Sequence, residues 1–487
     1  MELPGGRRHG AGGLRPLRHL VNYPLEPDAK EMRRLVDEAM RRIVAHLETL
    51  PQQPAANTDG AADFARTLIE PLPQKGERYE VLLDRLFNEY IPRSFNAASP
   101  GYLAYIPGGG IFHAAVADLI SDAVNRYIGV NAAAPALVQL ETNVIRWLCE
   151  IVGYGAGSGG VLTTGGSLAN FTAIVTARKE RLPENFFRGT MYCSNQVHHS
   201  LQKAANLAGF PFANIRDIPT DARFRIRLDV LEQVIERDRA AGWMPFLVVG
   251  SAGTTNTGAV DDLEALARIA REQKLWFHVD GAYGAFFALT ERGRAALRGM
   301  EQADSIVLDP HKTLFLPYGT GGLVVKDAGS LRRAHSLHAD YLPPMQDDKQ
   351  LVDFCEISPE LSHDFRGLRA WLPIKMFGIG AFSQQLDEKL DLIDYATSEL
   401  RKIDGIEIVA EPQLTVVAFR LVRKGTDVNA LNQRLLQRIN ARKRVLLTPT
   451  VIDGKFLIRI CVVSFRTHMV RMQMAMEDIR AAVAEEI

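Results

Sequence analysis

The chain has 487 residues, 47% of them hydrophobic and 23% charged, with Lys plus Arg equal to Asp plus Glu at 57 each. That length implies more than one domain, and the neutral balance excludes a surface that recruits nucleic acid or an anionic membrane by charge. Cys149, Cys193, Cys355 and Cys461 stand far apart in no metal-type spacing, so no metal centre is expected and a reducing, cytoplasmic compartment suits them.

Residues 1–27 read as an irregular lead, rich in Gly and Arg and without the apolar core of a secretory signal. A helix is predicted over 28–50, where Met32, Leu35, Val36, Ala39, Ile43, Val44 and Leu47 recur at helical spacing. Residues 51–60 read as a polar linker, and a second amphipathic helix covers 80–90. The apolar faces of this pair lack a partner in their own segment, which predicts packing on a second subunit. Residues 99–107 are apolar and aromatic, and Gly108, Gly109 and Gly110 then let the backbone approach something closely. Helices follow over 115–124 and 135–152.

From Gly159 strands alternate with helices. Strands are predicted at 160–164, 191–193, 246–250, 276–279, 305–308 and 321–325, and helices at 168–181, 199–208 and 262–273. Such alternation predicts an α/β fold, a mostly parallel sheet with helices on both faces. Residues 326–362 lack a firm period and read as a lid or mobile functional loop. Helices resume over 371–378 and 382–400. Strands at 406–409, 415–420 and 456–463, with helices at 429–441 and 468–483, predict a small α+β domain. The expected organisation is a tail and helical dimerisation segment over 1–110, a large α/β domain over 111–375 and a small C-terminal domain over 376–487. No apolar run is long enough to span a bilayer.

The chemistry gathers at strand ends. The run from Asp304 to Leu308 is apolar and strand-like, turns at Pro310 and presents Lys312 between His311 and Thr313. A desolvated lysine is the amine needed to form a Schiff base with an aldehyde. Gly165-Gly166-Ser167 lies between a strand and a helix, where backbone N–H groups and a hydroxyl cradle an anion. It lacks the lysine of a nucleotide loop and the glycine spacing of a dinucleotide site, so a single phosphate fits. Asp280 ends an apolar strand and needs a cationic or N–H partner; a pyridinium nitrogen would be one. His198 precedes a helix and can stack on a planar group or donate a proton, or simply cap that helix. Thr255, in Gly253-Thr254-Thr255, offers a hydroxyl. Together these positions ask for a phosphorylated, planar pyridine aldehyde.

On those motifs the chain resembles the pyridoxal-phosphate group II amino acid decarboxylases, especially the aromatic-L-amino-acid branch, over roughly residues 30–487. Asp309-Pro310-His311-Lys312 is similar to that family's Asn-Pro-His-Lys, with Asp309 replacing the asparagine. The resemblance implies a type I pyridoxal-phosphate fold and a homodimer with its site at the subunit interface. It makes Lys312 the Schiff-base lysine, Asp280 the pyridinium partner with Ala282 beside it, and His198 the stacking histidine. Gly166 and Ser167 take the phosphate loop, Thr255 the cofactor threonine and His311 the histidine before the lysine. Tyr341, in Asp340-Tyr341-Leu342-Pro343, falls on the loop tyrosine that protonates the substrate carbanion. Tyr105, Ile106, Pro107 and Ser362 fall in the substrate pocket.

The chain departs from the family at Ala97, where a tryptophan stands nearby, at Gly129, near a phenylalanine, and at Gly108, which replaces a polar residue. Ser362 tilts towards phenolic substrates. Related aldehyde synthases carry Phe for the tyrosine or lose the histidine; this chain keeps both. The expected activity is decarboxylation of an aromatic L-amino acid to its amine. The rivals are an oxygen-dependent aldehyde synthase, an aminotransferase using Arg459 for the carboxylate, and a non-catalytic cofactor-binding regulator. For Arg459 a sheet-edge charge is the preferred reading.

Overall fold

The computed structural model describes residues 25–106, 108–337 and 351–486. Two compact units emerge: the chain up to Thr49 together with Ile69–Pro92, and Leu50–Leu68 together with Arg93–Ile487.

In the first unit Asp28 starts the helix Ala29–Glu48, its carboxylate accepting the Glu31 N–H at 2.8 Å. The helix buries none of its residues, and Met32, Val36 and Val44 stay exposed. The helix Tyr79–Arg85 runs into one wider turn, Leu86–Tyr90, and is tied back by the Tyr79 hydroxyl donating to Leu35 O and by the Arg42–Asp84 ion pair.

The second unit carries a seven-stranded sheet. Its strands are β1 (Gly159–Thr163), β2 (Gly189–Ser194), β3 (Ile215–Ile218), β4 (Met244–Ser251), β5 (Trp276–Asp280), β6 (Ser305–Leu308) and β7 (Gly321–Val325). The spatial order is β1-β7-β6-β5-β4-β2-β3. Only β7 runs against its neighbours, because the short segment 309–320 turns the chain straight back instead of carrying it across a sheet face. The buried strands read as continuous apolar runs, and the helices Gly166–Arg181, Leu228–Ala240 and Leu263–Glu272 pack on them.

A second, wholly antiparallel sheet contains β8 (Ile406–Ala410), β9 (Val416–Leu421), β10 (Thr448–Ile452) and β11 (Lys455–Cys461), in the order β10-β11-β9-β8. The helices Ile379–Arg401 and Val428–Ala441 pack against this sheet. Asp453 and Gly454, both at positive φ, make the tight β10–β11 turn.

Residues 51–60 are not a free linker. Ala55 is fully buried, donates its N–H to Lys443 O at 2.9 Å and accepts from Asn96 N at 3.0 Å. Among the described residues no helix is long and apolar enough to cross a membrane, and no cluster of His, Cys, Asp or Glu could hold a metal ion.

Candidate active site

A cavity of about 350 Å³ opens where β1, β4, β5 and β6 end. Its wall holds Gly166, Ser167, His198, Thr255, Asp280, Ala282, Asp309, His311 and Lys312. Strand carboxyl ends of an α/β sheet are where ligands bind, because the loops and helix N-termini converge there.

The cradle is the first turn of the helix Gly166–Arg181. Gly166 is bare for a steric reason: a Cβ there would sit 2.9 Å from Asp309 Oδ2 and 3.3 Å from the Ala282 Cβ. Gly321, the first residue of β7, meets the same limit, with Asp309 Oδ1 2.7 Å from a built Cβ. The carboxylate of Asp309 therefore lies directly behind the cradle, 1% exposed. Its Oδ2 is 3.1 Å from Lys312 Nζ and 3.7 Å from His311 Nε2, and Oδ1 is buried with no hydrogen-bond partner among the described residues.

Lys312 is thus not left without a charge partner at the end of β6, as desolvation alone suggested; Asp309 supplies one. His311 donates from Nδ1 to Thr320 O at 2.6 Å, and loss of solvent holds its imidazole below the ordinary histidine value against the pull of Asp309. Arg369 fixes that turn by donating to Gly319 O and Thr320 Oγ1, both at 3.1 Å.

At the other end Asp280 closes β5, 9% exposed. Oδ1 accepts from Ala282 N at 3.2 Å and Oδ2 from Asn170 Nδ2 at 3.3 Å. His198 both caps the helix His199–Leu207 and opens on the cavity. Its Nδ1 accepts from Ser200 N at 3.2 Å, and loss of solvent lowers its pKa, opposed by Asp280. Thr254 and Thr255 both lie on the cavity wall, with the Thr254 hydroxyl held inside its own turn 2.7 Å from Thr257 Oγ1.

Gly108 also has a steric cause, since a Cβ would fall 2.5 Å from Lys312 O and 2.6 Å from His311 O. The Gly108 backbone therefore lies directly against the lysine turn. Tyr105 stacks near Tyr102, ring centres 6.5 Å apart, and Ile106 is buried. Pro107 and Tyr341 lie outside the described residues. Ser362 is exposed and, like Tyr105 and Ile106, does not line the cavity. Beside it the Tyr127 hydroxyl donates to Leu361 O at 3.0 Å. The same hydroxyl would be 2.3 Å from a Cβ on Gly129, so the Tyr127 ring takes the space beside that glycine.

Arg459 is on the interior strand β11, 3% exposed, and not at a sheet edge. It donates to Asn256 O at 3.1 Å and Thr448 Oγ1 at 3.2 Å, and its Nη2 has no hydrogen-bond partner among the described residues. Asn170, which donates to Asp280, and His278, which holds Asn170, carry no motif in the sequence. A histidine inside the apolar strand Trp276–Asp280 was the available signal, because a buried imidazole must find partners.

The donor set fits pyridoxal phosphate: a helix N-terminus and a serine for its phosphate, an amine for its aldehyde and a buried carboxylate for its ring nitrogen. The pyridoxal-dependent decarboxylase conserved domain matches residues 64–422. The aromatic-L-amino-acid decarboxylase of Bacillus atrophaeus is 34% identical over 468 residues, 95% of this chain and 97% of that one. A phenylacetaldehyde synthase of Petunia hybrida is 28% identical, covering 93% of this chain and 94% of that one. Among solved structures, an Oryza sativa TDC crystallised with PLP and tryptamine superposes with a TM-score of 0.90 at 26% identity, over 94% of this chain and 99% of that one.

Proposed function

This chain belongs to the pyridoxal-dependent decarboxylase family, an amino acid decarboxylase by its domain and relatives, and from that premise we propose that it converts an aromatic L-amino acid to its amine and CO₂. The observation that carries the reading is the meeting of Lys312 Nζ, the Gly166–Ser167 cradle and the Asp280 carboxylate on one cavity wall. Phenylalanine, tyrosine and tryptophan are the substrate class; the aromatic-L-amino-acid decarboxylase relative supports it.

Bound in this cavity, pyridoxal phosphate supplies an electron sink for the pair left behind when the carboxylate departs. Gly166 and Ser167 would hold the phosphate at the helix N-terminus, Lys312 the aldehyde carbon and Asp280 the ring nitrogen. The wall residues exclude bulk water and orient the scissile bond, which is where positional catalysis arises. His198, neutral in this setting, offers a flat ring face, with Thr255 on the same wall. Tyr341 is the proposed donor that returns a proton to the substrate Cα, with His198 as the second candidate.

The rival is an oxygen-dependent aldehyde synthase on the same fold, favoured by the Petunia relative. Retention of both His198 and Tyr341 supports simple decarboxylation instead. A panel of aromatic amino acids assayed for amine, aldehyde and peroxide separates them: amine matching CO₂ without peroxide is expected, and peroxide matching CO₂ would reverse the reading. Tyr341→Phe is expected to slow amine formation and raise aldehyde with peroxide; an unchanged product ratio removes Tyr341 from the reaction.

The same proposal includes a homodimer, supported by the exposed Met32, Val36 and Val44 on the first helix and by the exposed Ile69 and Leu72. Sedimentation at twice the chain mass tests it. A reducing, cytoplasmic setting is supported by four free, buried cysteines.

A further inference from the structure

The polar groups behind Asp280 form a chain whose proton positions can be assigned one by one. Asn170, on the helix Gly166–Arg181, is 1% exposed and His278, in β5, is fully buried. Asn170 Nδ2 lies 3.3 Å from Asp280 Oδ2 and 3.1 Å from Ser200 Oγ, and Asn170 Oδ1 lies 2.9 Å from His278 Nε2. A carboxylate only accepts, so the amide nitrogen must face Asp280 and the amide oxygen must face the imidazole. His278 Nε2 must then carry a proton and donate it to that oxygen.

The remaining ring nitrogen, Nδ1, is 2.8 Å from Ser305 Oγ, and Ser305 Oγ accepts from Trp276 Nε1 at 2.8 Å. With one lone pair taken by Trp276, the Ser305 hydroxyl can donate to Nδ1 of a neutral imidazole that carries its proton on Nε2. Burial, the largest influence on His278, favours that neutral form, with Asp280 opposing. The second Asn170 N–H reaches Ser200 Oγ, which lies 2.8 Å from His198 Nδ1. One amide thus links the two side chains that would meet opposite parts of the ring, Asp280 at its edge and His198 at its face.

We infer that Asn170 and His278 are positioning residues for Asp280: the sequence Trp276–Ser305–His278–Asn170 fixes the direction of one amide, and that amide aims the Asp280 carboxylate at the ring nitrogen of the cofactor. This inference rests on the pyridoxal phosphate reading. Neither residue lines up as an acid or base for substrate; both act through the carboxylate. Removal of the amide donor leaves Asp280 Oδ2 without its Asn170 bond and frees the carboxylate to rotate away from the ring.

The test compares binding of pyridoxal 5′-phosphate with that of its 1-deaza analogue, in which the ring nitrogen is a C–H. Both are titrated into the cofactor-free full-length protein and followed by intrinsic fluorescence. Wild type is expected to prefer pyridoxal phosphate by about tenfold or more, one charge-assisted hydrogen bond. In Asn170→Leu that preference is expected to collapse to within about twofold, one lost charge-assisted bond. His278→Gln keeps an N–H donor towards Asn170 Oδ1 and is expected to retain the preference.

A structural role alone would weaken both ligands equally and leave the ratio unmoved. His278→Leu removes the donor from the far end and is expected to lower the ratio by at least about threefold, so the inference can be judged even if Asn170→Leu fails to fold. A discriminating wild type with equally discriminating Asn170→Leu and His278→Leu overturns the inference alone. A wild type that binds both ligands equally overturns the Asp280 assignment, and the inference with it. A wild type that binds neither overturns the pyridoxal phosphate reading on which both stand.

Discussion

The ends of β5 and β6 are adjacent, parallel and each closed by a buried aspartate, yet they treat the carboxylate in opposite ways. Asp280, on β5, has an N–H donor on each oxygen, from Ala282 and Asn170. Asp309, after β6, has one oxygen on the Lys312 amine and the other with no hydrogen-bond partner among the described residues. The first carboxylate is braced by fixed neutral dipoles. The second is a counterion whose unpartnered oxygen lies against Gly321 at the start of β7. The difference teaches that burial alone does not define a site residue; the donors behind the group decide whether it serves as a fixed partner or an adjustable one.

The comparison can be broken by exchanging each acid for its amide. Asp280→Asn removes the charge proposed to face the ring nitrogen, and kcat on the best amino acid substrate is expected to fall by about 10²–10³, as for other preorganised electrostatic partners. Asp309→Asn puts a donor where an orphaned oxygen now lies and takes negative charge from behind the phosphate cradle. Its affinity for pyridoxal phosphate is expected to rise by about tenfold, the worth of one hydrogen bond to a charged group, with kcat within about threefold of wild type. If Asp309→Asn loses as much turnover as Asp280→Asn, the two strand ends are equivalent and the distinction fails.

Acid sharpens the same contrast with a smaller effect. His278 is held below the ordinary histidine pKa by burial, and the unfolded chain takes up a proton there that the folded chain resists. Its contribution is fully present above pH 6.5, the unfolded value. As pH falls below that, stability drops towards a slope of about 1.4 kcal/mol per pH unit until the folded-state group also titrates. His278→Gln is expected to flatten that slope in urea titrations between about pH 6.5 and 5. An identical slope in the variant removes His278 from the acid response.

Much of this was legible in the chain itself. Buried strands such as β4 and β6 announce themselves as apolar runs, and the residue that ends each run faces the cavity, so Asp280 and Lys312 could be placed by reading strand ends. The edge strand Ile215–Ile218 was not visible, because its residues Ile-Arg-Asp-Ile carry two charges and are mostly only partly buried. The reversal of β7 was not visible either: Gly321–Val325 has the same apolar pattern as a parallel strand, and direction is set by the short turn before it. Asp453-Gly454 was a hairpin signal that went unread, and with it β10. Asn170 and Ser200 were hidden for a different reason. Polar residues on a helix carry no periodic signal that they point inward, and only the packed sheet reveals that they share a carboxylate and an imidazole.

The turn after β6 delivers Lys312, the residue proposed to hold the cofactor. Borohydride reduction of the protein loaded with pyridoxal phosphate, followed by peptide mass mapping, tests that role directly. A phosphopyridoxyl mass on the peptide bearing Lys312, absent from Lys312→Ala, is the predicted result. The same mass on another lysine, or its persistence in Lys312→Ala, would contradict the account.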